Sequence, residues 1–170
     1  MELDRSTPCQ LWSLRGVATP GLNDFSWNVR VRTGGDGRAT TYVRAHQFDV
    51  GAPLQFDADY PHVTALEYAL AALGAELVNG LVARCRRRRI RVNQVEALVG
   101  GELRNALTYL DVVGETGDPG LRRITVRVYA SSEEAPAELE QVWSELVARS
   151  PLACTLAAAV QLDLTLQVVP

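Results

Sequence analysis

The sequence predicts an α+β fold with a mainly antiparallel sheet, and three observations carry that prediction. Period-two hydrophobic alternation marks strands near both ends of the chain. One long apolar helix lies between them, and the order strands, long helix, strands, helices, strand groups the strands instead of alternating each with a helix. At 170 residues, 47% of them hydrophobic and 22% charged, the composition is that of one compact soluble domain with a core.

The first strand is read from "FSWNVRVRT", where Phe25, Trp27, Val29 and Val31 alternate with polar partners as on a half-buried strand. "GGDG" supplies a turn, and "RATTYVRAHQFDV" reads as the return strand, giving a hairpin from Trp27 to Val50. "GAPLQFDADYPH" is a loop limited by Pro53 and Pro61. Residues 21–170 are read as the domain and residues 1–20 as an N-terminal extension, in which Trp12 and Leu14 would cover a sheet edge.

"TALE" opens the long helix with a capping box, Thr64 at the N-cap and Glu67 reaching back to its amide. From Ala65 to Ala83 the helix is apolar on nearly every side, so a subunit interface is expected to supply part of its cover. It ends in "ARCRRRRIRV", whose arginines complement the negative end of the helix dipole. "IRVNQVEALVG" and "LRRITVRVYA" read as strands, with a further short strand placed at "TYLDVVGE". "SEEAPAELEQVWSELVARS" is amphipathic through Leu139, Val142, Trp143, Leu146 and Val147. Pro151 is suited to the first position of another short helix, and "VQLDLTLQVV" closes the chain as a strand.

Several function classes are disfavoured. A net charge of −3 argues against a general nucleic-acid binder, although all 17 basic residues are arginine. No apolar run reaches a membrane-span length without a charge, and "MELDRSTPCQ" lacks the features of a secretory signal, so a cytoplasmic location is expected. Cys9, Cys85 and Cys154 form neither a disulfide framework nor, with His46 and His62, a metal-ligand cluster. No cofactor or metal is expected.

In the middle of the apolar helix stands one carboxylate, Glu76. It must be paired, hydrogen-bonded or protonated if it is buried, since an isolated buried charge is costly. Asn79, three residues on, shares its face.

The helix "TALEYALAALGAE" resembles the T-P-x-E-L-L-L-A-A-L-A-A-C helix of the OsmC/Ohr family (osmotically inducible protein C-like, organic hydroperoxide resistance). "TGGDG" and "RSPLACTL" resemble two further family segments in the same order. The resemblance covers most of Phe25 to Val169. It implies an intertwined homodimer with long central helices and sheets wrapped outside. It also implies a link to oxidative stress through peroxiredoxin-like reduction of organic hydroperoxides, in which a thiolate attacks the peroxide and a second thiol closes a disulfide.

The parts of that chemistry are replaced. The attacking cysteine would fall at Glu76 and the resolving cysteine at Ser150. The peroxidase branch's glutamate falls at Leu66, and its arginine precedes the Asp-Gly pair that Arg38 follows here. The expectation is therefore a dimeric binding or accessory protein with a small hydrophobic ligand, lacking the family's thiol chemistry. Glu76 would serve as an interface ion pair, or as an acid/base or ligand-orienting group, beside Asn79, Ser150 and an Arg38 or Arg44 from the other subunit's hairpin. The alternative is a hydroperoxide reductase using Cys154, one helical turn beyond Ser150, as a single relocated thiol. Cys85 lies nine residues beyond Glu76, on the opposite helix face, and does not substitute for it.

Overall fold

The computed structural model describes residues 26–52 and 59–169. The N-terminal extension, Cys9, Trp12, Leu14, Phe25 and Pro53 lie outside the described residues. Within them the order is β1 (Arg30–Thr33), β2 (Ala39–Val43), β3 (His46–Val50), α1 (Ala65–Arg88), β4 (Gln94–Leu103) and α2 (Ala106–Tyr109). It continues with β5 (Leu121–Ser131), α3 (Pro136–Val147), α4 (Pro151–Ala157) and β6 (Gln161–Val169).

Two three-stranded sheets result. In the first, β1, β2 and β3 pair antiparallel in chain order. The expected single return strand is thus two strands, because Arg44 takes a positive φ of 54° and turns the chain between Val43 and His46. The sequence offers no glycine there to announce the turn. In the second sheet β4 and β5 are antiparallel, whereas β5 and β6 are parallel, joined by the α3–α4 crossover. The strand expected at "TYLDVVGE" is absent. Asn105 instead caps α2 by accepting from the Leu107 and Thr108 amides, and positive φ at Asp111, Gly114 and Gly117 keeps the following segment in turns.

The core lies between the second sheet and the helices. Register aligns Val95, Ala97 and Val99 of β4 with Ala130, Val128 and Val126 of β5, and these with Val168, Leu166 and Leu164 of β6. Against this face pack Leu73, Leu77, Leu81 and Cys85 of α1 and Leu139, Val142, Trp143 and Leu146 of α3. The α1 residues recur every four positions and form one stripe. Gly74 lets α1 approach β4 closely, since a Cβ there would come within 2.9 Å of Val99 Cγ2. By length and composition α1 could also cross a membrane. Its leucine stripe is instead part of this core.

The capping box forms as the sequence predicts: Glu67 Oε2 accepts from the Thr64 amide at 2.7 Å, and Thr64 Oγ1 accepts from the Glu67 amide. The bonds from Thr64 hold the Glu67 carboxyl below its ordinary value. The linked stability is therefore present above the unfolded-state pKa and fades as pH falls through the lower, folded-state value. At the other end Arg88 pairs with Glu145 of α3, tying the helix end to its neighbour.

In the single chain much apolar surface stays open. Only one stripe of α1 is buried, and Trp27 (83% exposed), Val29 and Val31 of the first hairpin are uncovered, although alternation predicts a half-buried face for them. The first sheet meets α1 through Phe48, whose ring centroid lies 5.0 Å from that of Tyr68, and through Tyr68 Oη, which donates to the Asp49 carbonyl.

Candidate functional site

The site is built where α1 meets α4. Ser150 is buried and N-caps α4, its Oγ accepting from the Ala153 amide at 3.0 Å. Pro151 occupies the first helical position, where its missing N–H costs nothing. That leaves the Leu152 amide, and its acceptor is Glu76 Oε2 at 3.3 Å, reaching across from the middle of α1. Side chains 74 residues apart thus satisfy the open amides of one helix end. A carboxylate there is also placed favourably against the positive end of the helix dipole.

This accounts for the glutamate in the middle of the apolar helix. It is partly buried, and the bond to Leu152 is its one hydrogen bond among the described residues. Sequence reasoning brought Glu76 and Ser150 into one neighbourhood by resemblance, and the structure brings both to the end of α4. It did not find Leu152, whose contribution is a backbone amide that any residue supplies. The Pro151 signal for a helix start was the available clue.

The remaining sequence-derived residues distribute differently. Asn79 is exposed and lines a groove of about 560 Å³ between α1 and β4, walled by Leu70, Ala71, Ala75, Val78 and Val95. Glu76 is not part of that lining. Arg44 is exposed at the β2–β3 turn. Arg38 stays on the first sheet, where its guanidinium donates to His62 Nε2 at 3.4 Å and lies 3.7 Å from the carboxylates of Asp36 and Asp49. Thr40 Oγ1 orients Asp49 by donating to it at 2.8 Å. The Arg38–Asp49–His62 group was missed in sequence because its members come from β-hairpin and pre-helix loop. Within the described chain neither Arg38 nor Arg44 contacts Glu76.

The two described cysteines are in different settings. Cys85 is buried against the core, and that burial pushes its thiol up from the ordinary value. Cys154 is exposed on α4, its Sγ set to donate to the Val147 and Ala148 carbonyls at 3.9 and 3.8 Å. Among the described residues no group of three or more His, Cys, Asp or Glu side chains is arranged to hold a metal ion.

Several solved structures share the fold. An OsmC-like protein of Mycoplasma pneumoniae is 18% identical with a TM-score of 0.71, the match covering 86% of this chain and 99% of that one. An OsmC-like protein of unknown function from Vibrio cholerae is 12% identical, with a TM-score of 0.67 over 85% of this chain and 100% of that one. The organic hydroperoxide resistance protein OhrB of Bacillus subtilis is 17% identical, with a TM-score of 0.55 over 84% and 98%. No curated protein sequence matches the chain. The family model described as OsmC-like protein matches residues 57–165, well over half of the chain, and with the shared fold this places the protein in the OsmC-like family.

Proposed function

We propose that the chain works as a homodimeric small-molecule binding or accessory protein on the OsmC-like scaffold, without the family's thiol-dependent hydroperoxide chemistry. The observation that carries this reading is the shared use of Glu76 and Ser150 as caps of α4. The resemblance assigns the attacking and resolving cysteines to these positions. A carboxylate and a hydroxyl neither reduce a peroxide nor close a disulfide, and here both are engaged by backbone amides.

The apolar surface left open supports the dimer. Trp27, Val29 and Val31, with exposed apolar residues of α1 such as Ala72 and Val82, are side chains that a second copy would cover. The α1–β4 groove supports the binding role, since its walls are mostly apolar, with Asn79 and the carboxylates of Glu67 and Glu96 as polar groups. Glu76 keeps Oε1 free of hydrogen bonds among the described residues, which suits it to orient a ligand or to exchange a proton in the assembled protein. An arginine from the partner's hairpin would be its counter-charge.

Light scattering on the purified chain is expected to give twice the chain mass, and Val31→Glu, which sets a charge on the uncovered hairpin face, is expected to give a monomer. A monomeric wild type contradicts the proposal.

A further inference from the structure

The C-terminal end of α1 carries arginines that the fold does not use. Arg88 pairs with Glu145. Arg86, Arg87 and Arg89 are exposed and make no ion pair among the described residues. The helix dipole favours a cation here, but its effect is confined to the last turn, and adjacent cations repel one another, so each added arginine returns less. Arg89 is also the helix C-cap, at a φ of 62°. Glycine takes that left-handed conformation without the steric cost a side chain brings, so the fold alone would be better served by glycine.

We propose that this helix end is a contact surface for the phosphate backbone of a nucleic-acid duplex. The chain's net charge of −3 describes the whole molecule, whereas phosphate contact depends on the local cluster. Guanidinium groups match phosphate oxygens in a bidentate fork. A step of about 100° separates Arg86 from Arg87 on the helix, and Arg89 leaves it at the left-handed cap, so the three guanidinium groups fan out around the helix end. A bilayer fits less well, because it offers its charges in one plane and firm attachment needs an apolar group to insert. The neighbours Ile90 and Val92 are packed against the core, which leaves Val82, one turn before Arg86, as the one large apolar side chain exposed at this end among the described residues. Residues 82–92 contain no aromatic side chain on which single-stranded bases could stack, so the contact is to the duplex backbone and is independent of sequence. Glu133 and Glu134 follow Ser132, which bonds the Arg91 carbonyl, and they bound the patch on that side.

The test is fluorescence anisotropy with a labelled DNA duplex of mixed sequence, titrated at several salt concentrations starting near about 50 mM. Wild type is expected to bind with an affinity that falls steeply as salt rises. The variant Arg86→Gln, Arg87→Gln, Arg89→Gly is expected to bind at least about tenfold more weakly, with a slope against log salt shallower by about 2 to 3. Arg89→Gly alone is expected to bind more weakly while unfolding at a higher temperature, which separates lost contact from lost folding. No binding by wild type at the lowest salt, an unchanged slope in the triple variant, or binding to vesicles of anionic phospholipid without binding to the duplex would overturn the proposal.

Discussion

Replacing Glu76 and Ser150 together by cysteine is expected to yield a chain that closes a disulfide between them under mild oxidation. The two side chains already converge on the first turn of α4, Glu76 at the Leu152 amide and Ser150 at the Ala153 amide. The cross-link would close a loop on the order of 75 residues, and the chain-entropy account gives such a loop about 4 kcal/mol of stabilisation. The same variant, reduced, loses both caps and is expected to fall below wild type by about 1–3 kcal/mol. Urea unfolding with and without a dithiol, beside a count of free thiols, reads both effects. A variant whose two new thiols stay free after oxidation would mean that α4 does not lie over the middle of α1.

Leu77→Ala is expected to destabilise the fold by about 2–5 kcal/mol, the cost of a buried leucine truncated in a core that relaxes only partly. Leu77 is fully buried in the stripe that joins α1 to the second sheet and α3, one residue from Glu76, so the same packing fixes the direction of the carboxylate. Val113→Ala offers the comparison, because Val113 is 100% exposed and its truncation is expected to change stability by less than about 0.5 kcal/mol. Equal effects of the two substitutions in denaturant titration would refute the assignment of the core.

What could be read from the sequence was local or periodic. The Thr64–Glu67 box lies within one turn, and the α3 and β6 patterns repeat at their own periods, so each was visible in a short window. The turn at Arg44 was not, since an arginine there gives no sign that the chain adopts a positive φ. A short apolar run such as "TYLDVVGE" has no decisive period, and the Asn105 cap settled that region as helix and turns. Glu76 could be singled out as out of place among apolar neighbours, but its partner could not, because a backbone amide leaves no mark in the sequence. The groove by Asn79 and the pairing of Arg38 with His62 depend on how sheets and helix meet, which only the tertiary arrangement supplies.

We propose that this OsmC-like chain does not reduce organic hydroperoxides through a thiol. Consumption of an organic hydroperoxide by purified wild type with a dithiol reductant, beside Cys154→Ser and Glu76→Gln, tests it most directly. No turnover above a protein-free control is expected in any of the three. Turnover by wild type that disappears in Cys154→Ser and persists in Glu76→Gln would contradict it and establish a relocated thiol enzyme.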